Sequence, residues 1–423
     1  MLVTSKVPLA EPVSAAETTP PARPCRPASA PHNPPSLWMA IICIVLVALT
    51  LRPAIVSVGP LLPGIIEDFG LSHTQASLLT AIPTLLMGLM ALPTPWLARR
   101  FGRDAVILGA LVVLFAATGL RAVAGSIGVL FLTTVGIGAG IAVAGALLAG
   151  FVKGGYPKHA ALLMSLYATA LALGSTIAAA ATGPITAAAA SWRLGASFWM
   201  LPVIIAIVAW FYIRRQGTAD GRGAAAAISY PMPVRIPTAW LIALFFACNN
   251  IIFYAFISWT APMYVEFGRS TTCAGLILAG FTLAFMISNP LFGVLSRNED
   301  RRVALAVSSA IALLGTLTLA LDPDAMPMIS VPLIAFGTGG AFTLALTLPL
   351  DNTENAEQAN AWNAFVLLFS YVVAAAGPLL MGYLRDLTGG FNLPLWLMVG
   401  VSVVMLGTTP LLKPSHHRRH VAD

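Results

Sequence analysis

The sequence predicts an all-α membrane protein of twelve transmembrane helices in two parallel six-helix repeats. Three observations lead there. Of 423 residues, 58% are hydrophobic and 9% charged, against about 25% charged in soluble chains. From Leu37 onward, apolar runs of membrane-crossing length alternate with short polar breaks. The pattern then repeats: Asp68-Phe69-Gly70 returns as Glu266-Phe267-Gly268, and Leu97-Ala98-Arg99 as Leu295-Ser296-Arg297, both at an offset of 198, with Gly183-Pro184 returning as Gly377-Pro378. So few charges cannot cover a soluble surface of this size. A soluble enzyme and a nucleic-acid binder are excluded despite the net charge of +7.

Residues 1–36 hold nine of the 31 prolines and no glycine, which predicts a disordered tail and not a secretory signal. Six spans follow in an N-terminal bundle, 37–213: 37–65, 72–97, 105–124, 127–152, 160–188 and 195–213. A linker, 214–237, precedes a C-terminal bundle, 238–412, with spans 238–264, 271–296, 302–321, 327–350, 359–384 and 392–412. Residues 413–423 form a basic tail. Lipid offers the backbone no partners, so each span is helical. A barrel would show short alternating strands, and residues 105–117 do not alternate. Eighteen of 23 Lys and Arg fall in segments on the side of the termini, four on the other side, and Arg52 within a span. The positive-inside bias therefore predicts cytoplasmic termini in a multi-pass inner (plasma) membrane protein. Two parallel repeats predict a carrier with its solute site between them near the midplane.

Arg52 sits about 22 Å along the first run at helical rise. A central arginine costs about 2.5–3.5 kcal/mol on insertion scales. None of the sixteen carboxylates falls at mid-membrane, so the expected partner is an anionic solute. Pro53, Gly59, Pro60, Pro63 and Gly64 interrupt the same helix, as in helices that build solute sites. The matching helix of the second repeat offers Asn249, Asn250, Tyr254 and Trp259, with Asn250 and Tyr254 on one face. Asn363 and Tyr371 complete the residues expected to orient the solute.

A cytoplasmic gate is expected from two basic turns and one acidic loop. The first turn carries Arg99, Arg100, Gly102 and Arg103, the second Gly293, Arg301 and Arg302. Asp351, Glu354 and Glu357 supply the opposite charge. Arg121 is expected to reach the outer surface from its helix end. Gly136, Gly138 and Gly140, and Gly337, Gly339 and Gly340, read as helix-packing positions. There is no Walker motif. His73 and His159 stand at helix starts, outside any metal or catalytic cluster, and Cys25, Cys43, Cys248 and Cys273 have no zinc or redox spacing. No metal, cofactor or enzymatic activity is expected.

Leu97-Ala98-Arg99-Arg100-Phe101-Gly102-Arg103 resembles the signature loop of the major facilitator superfamily. Residues 51–63, Leu-Arg-Pro-Ala-Ile-Val-Ser-Val-Gly-Pro-Leu-Leu-Pro, are similar to the cyanate and 2-nitroimidazole transporter family within it. So are Phe253-Tyr254 with Trp259, Gly339-Gly340-Ala341-Phe342, and Tyr371 ahead of Gly377-Pro378. The resemblance covers residues 37–412. It implies that Arg52 faces a central cavity with Tyr254, Trp259 and Tyr371. The chain departs from the family pattern at Arg99, where an aspartate is usual, and at Gly145 and Ala149, where an asparagine and a proline are frequent.

The resulting expectation is a monomeric secondary transporter, working by alternating access in the lipid bilayer on a small anionic or electronegative solute, cyanate-like or a small organic anion. A counter-ion or proton accompanies it, and Glu67 or Asp68 is the candidate proton carrier. The alternative is an efflux carrier for neutral or aromatic, nitroimidazole- or drug-like compounds, with Arg52 structural.

Overall fold

Proline placement decides where the helices bend. The computed structural model describes residues 36–156, 159–215, 232–296, 300–353 and 356–413. Among them there are seventeen α-helices and no strand. The first span is built from α1 (Leu37–Leu51), α2 (Pro53–Val56) and α3 (Val58–Phe69). A proline ring clashes with the carbonyl four residues back. Pro53 therefore disturbs Leu49 and Pro60 disturbs Val56, and the helix yields at Arg52 and Ser57. The second span is α4 (His73–Leu89) and α5 (Thr94–Phe101), bent by 66°. Pro93 displaces the carbonyl of Leu89, where α4 ends. This span was expected to run unbroken over 72–97.

The first half continues with α6 (Arg103–Leu120), α7 (Ile127–Gly155), α8 (Ala160–Ala189), α9 (Trp192–Ser197) and α10 (Met200–Arg215). The second half comprises α11 (Pro237–Glu266), α12 (Thr271–Leu295), α13 (Arg302–Leu321), α14 (Pro327–Asp351), α15 (Ala356–Ala374), α16 (Ala376–Thr388) and α17 (Asn392–Thr408). Pro378 displaces the carbonyl of Ala374, where α15 gives way to α16. Among the described residues, eleven spans are long and apolar enough to cross a membrane, twelve with the bent α4–α5 pair. Twelve crossings put the start of α1 and the end of α17 on one face, here the near face. The α3–α4, α11–α12 and α16–α17 connections lie on the far face. Residues 1–35, 216–231 and 414–423, which include most of both expected tails and of the linker, lie outside the described residues, as do Glu354 and the side chain of Glu357.

One apolar cluster belongs wholly to the first half, from Ala40 and Leu51 through Ile107 and Phe151 to Trp210. A second joins the halves, bringing Val56, Leu61 and Leu79 together with Phe246, Trp259 and Tyr264. Large apolar side chains such as Leu132, Val208 and Val303 stay exposed around the outside, as lipid contact allows. Between helices in lipid, close packing replaces the hydrophobic effect. Gly140 of α7 shows how: a Cβ there would lie 2.8 Å from Ala110 O and 3.1 Å from Leu114 Cβ on α6. Arg121, expected to snorkel, turns inward instead. It is 2% exposed and donates to Ala54 O on α2 and to Thr134 Oγ1 on α7, each at 3.2 Å. Its guanidinium braces the broken first span.

Gly140→Leu is expected to destabilise the protein by about 1–3 kcal/mol, the usual cost of overpacking. Gly109→Leu, on the open side of α6 with nothing within 4 Å of its Cβ, serves as the control. Thermal unfolding of both in detergent checks this, and equal melting temperatures would remove the close-packing account.

Candidate functional site

The break that ends α1 presents Arg52 to the second half. Its Nη1 donates to the hydroxyl of Tyr254 on α11 at 3.0 Å. The guanidinium carbon lies 5.9 Å from the centroid of that ring, within cation–π range. Tyr254 is 1% exposed, and its hydroxyl also points at Met87 Sδ, 3.7 Å away on α4. Tyr371 of α15 meets Tyr254 edge-on, with ring centroids 6.1 Å apart. Tyr371 and Tyr167 of α8 both lie near enough to interact electrostatically with Arg52. Among the described residues no carboxylate pairs with Arg52, which keeps some accessible surface deep in the first span. A cation ringed by phenols can attract an anion, and the phenol faces can stack on a flat one.

Tyr167 was not picked out from the sequence. Its hydroxyl lies 3.2 Å from where a Gly145 Cβ would be. It therefore occupies the space left by the small residue on α7. Met87 was missed as well, since a thioether in an apolar run carries no polar signal.

The remaining candidates distribute differently. Asn250 is buried and donates to Ser370 Oγ at 3.3 Å. Asn249 is fully buried with neither amide atom hydrogen-bonded, and Asn363 Oδ1 also lacks a partner. Trp259 stands away from Arg52: its indole donates to Pro378 O at 3.0 Å and its ring lies 5.6 Å from the His73 ring. On the near face, the ion pairs between described residues stay within one half. Arg103 faces Asp104 at 3.4 Å and lies over Phe151. Arg301 bonds Asp351 at 2.7 Å, and Arg302 bonds Asp300 at 2.6 Å. Arg99 and Arg100 are exposed, with Arg100 over Trp96. Gly102 takes φ 84° at the α5–α6 turn, a conformation that favours glycine. Gly293 is exposed near Thr343.

The far face is joined across the halves. Asp386 of α16 accepts from the backbone N–H groups of His73 and Thr74 at 2.9 and 2.8 Å, and from Thr74 Oγ1 at 2.6 Å. It thereby caps α4, whose other first donors are met by the Ser72–Gln75 capping box. His73 Nδ1 lies 2.7 Å from Asp386 Oδ1 and its Nε2 lies 3.1 Å from Glu266 Oε1 on α11. Arg385 donates to Glu266 Oε2 at 2.8 and 3.0 Å. Below this cluster Ser77 Oγ donates to Pro378 O at 2.8 Å and Ser258 Oγ to Thr80 Oγ1 at 2.7 Å. A Cβ on Gly382 would collide with Ser77 Oγ and the carbonyl of His73. Asp68 is bonded to Arg193 at 2.7 Å, the first-half counterpart of Glu266 with Arg385.

Eleven or twelve packed apolar spans, some broken at prolines and arranged as a repeat, have the architecture of a membrane transporter of the two-bundle kind. The sequence profile of the Major Facilitator Superfamily matches residues 37–361 and 239–422, and the chain belongs to that superfamily. It is 28% identical over 382 residues to the cyanate transport protein CynX of Escherichia coli K12, covering 88% of this chain and 98% of CynX. It is likewise 28% identical over 366 residues to the 2-nitroimidazole transporter of the same organism, covering 86% and 91% of the two chains. The fold matches the solved structure of a bacterial homologue of the human lysosomal transporter Spinster, inward-facing and unoccupied. The TM-score is 0.72 at 17% identity, over 91% of this chain and 98% of that one.

Tyr254→Phe removes the one side-chain hydrogen bond that Arg52 makes among the described residues. It is expected to cost about 1.5–3 kcal/mol, the range for a bond to a charged group, read as a lower melting temperature in detergent. An unchanged melting temperature would show that Arg52 does not depend on that phenol.

Proposed function

We propose that the chain is a secondary transporter that moves a small, monovalent, electronegative solute across the inner membrane by alternating access. Its termini are cytoplasmic, so the far face is the outer one. One observation carries this reading: Arg52 lies deep in the first span, partnered by a neutral phenol and by no carboxylate among the described residues. The solute completes the charge. Arg52 attracts it, and Tyr254, Tyr371 and Tyr167 orient it by hydroxyl donation and stacking. The unpartnered amide of Asn249 and the unpartnered Oδ1 of Asn363 stand ready as further polar contacts, and Asn250 holds α11 against α15 through Ser370. The two E. coli relatives, a cyanate transport protein and a 2-nitroimidazole transporter, support a small electronegative cargo.

The halves rock about this site as rigid bodies, one spanning 37–213 and the other 238–412. In the conformation described, the far side is bonded shut and the near side is held by pairs within each half. The near-face charges, Arg99, Arg100, Arg103, Arg301, Arg302 and Asp351 with Glu354 and Glu357, re-pair across the halves when the far side opens. An inside-negative potential of 100 mV opposes entry of a monovalent anion by about 2.3 kcal/mol. The direction favoured by this physics is export, exchange, or movement together with a proton. The second reading is a carrier of neutral aromatic compounds in which Arg52 is structural, and the ring of three tyrosines favours it.

Flux of cyanate, nitrite and nitrate, and of a nitroimidazole, into proteoliposomes separates the two readings. Arg52→Ala is expected to abolish anion flux. Arg52→Lys keeps the charge but loses the planar fork and should retain a part of it. Wild-type anion flux in Arg52→Ala, or loss confined to the nitroimidazole, would overturn the anion reading in favour of the second.

A further inference from the structure

The far-face cluster contains an imidazole set between two carboxylates, each aimed at a different ring nitrogen. Asp386 Oδ1 lies 2.7 Å from Nδ1, and Glu266 Oε1 lies 3.1 Å from Nε2. A carboxylate only accepts, and a neutral imidazole has one N–H and one lone pair. Both contacts are favourable at once only when the ring carries two protons. With His73 as imidazolium the cluster balances, two cations (His73 and Arg385) against two carboxylates. Without that proton it carries a net negative charge, and a nitrogen lone pair faces a carboxylate oxygen.

Every element packed around His73 supports this count. Glu266 comes from α11, together with the Trp259 ring at 5.6 Å. Asp386 and Arg385 come from α16. On α3, Asp68 is engaged by Arg193 at 2.7 Å and Glu67 is exposed. Helix α17 has no titratable residue, and those of α7 and α15 lie at the near face or, for Tyr371, beside Arg52. His73, Glu266 and Arg385 keep 20–30% of their side-chain surface accessible, so protons of the far-side solution reach them. The contacts bridge the halves: His73 belongs to the first and both its carboxylates to the second. Opening the far face must separate them.

We propose that His73 is a proton-binding site that locks the far face, so that acid on that side favours closure. Closure takes up one proton, because only the closed arrangement sets a carboxylate against each ring nitrogen. As pH rises through the titration of His73, the lone pair turned toward Glu266 weakens the lock and the far face opens. The site lies at the far surface and its proton returns to the same solution. It acts as an effector of the gate, not as a coupled cargo. The pseudo-symmetric contact lacks the device: at the matching position α12 carries Thr271, and α8 has no titratable residue beyond Gly183.

The test reads conformation and requires no knowledge of the solute, so it stands or falls apart from the anion reading. Gly125→Cys and Ala325→Cys put spin labels on the α6–α7 and α13–α14 far-face connections, in the full chain with its native cysteines replaced. Distance distributions by double electron–electron resonance are recorded in nanodiscs from pH 5 to pH 8. The closed-to-open ratio is expected to fall with rising pH, by up to about tenfold per pH unit, the ceiling for one linked proton. His73→Gln should be open-biased and His73→Arg closed-biased, both without the pH response. A wild-type distribution indifferent to pH, or a wild-type pH response kept in either variant, overturns the proposal.

Discussion

The arrangement depends on one constraint: a guanidinium held deep in a membrane span without an acid to neutralise it. Lipid cannot solvate Arg52, and its chain offers a phenol at 3.0 Å. That requires a helix broken at the same place, so that the side chain leaves the α1 axis toward α11. Pro53 and Pro60 supply the break. The break then needs a brace, since freed carbonyls in lipid are expensive. Arg121 is that brace, its guanidinium on the carbonyl of Ala54. One arginine is held in place by another, and neither is paired with a carboxylate among the described residues.

The far face is held by a different kind of interaction. Single exposed ion pairs contribute about 0–1 kcal/mol, too little to hold two bundles. Here the pairs share atoms with a helix cap. Asp386 meets the first two backbone donors of α4 and the His73 ring together. Separating the halves uncaps a helix as well as breaking ion pairs. The carbonyl of Pro378, in the first turn of α16, takes Ser77 from one half and Trp259 from the other. One backbone carbonyl of the second repeat thus serves as an acceptor for both.

The fold was legible because lipid leaves so few solutions: run length, proline position and charge placement decide the spans. Arg52 and Tyr254 each stood out, as a cation without an acid and as part of a polar face on the matching helix, but the hydrogen bond between them did not: the cation was expected to take the solute. Trp259 is instructive. Five residues from Tyr254 on an α-helix amounts to about 140° of rotation, so its separation from the phenol was implicit in the spacing. Tyr167 gave no signal, since one hydroxyl in an alanine-rich run reads as filler until α7 is seen to carry Gly145 opposite. His73 read as a helix start, which it is. Its two carboxylates are 193 and 313 residues away, and only the register between the repeats brings them to one level. The bend between α4 and α5 was readable from Pro93, yet hydropathy alone carried the run straight through it.

The two lips of the far face are unequal. Where α8 meets α12, neither helix bears a charge, the contact is made by small residues such as Gly183 and Gly275, and one hydroxyl pair, Thr176 with Thr282 at 3.0 Å, crosses it. Where α4 meets α16, charge crosses. Mobile ions screen exposed charges within about 10 Å at 0.1 M and leave a dry alanine–glycine contact untouched. Raising ionic strength therefore loosens one lip and not the other, and the mouth opens lopsidedly, swinging on its uncharged side.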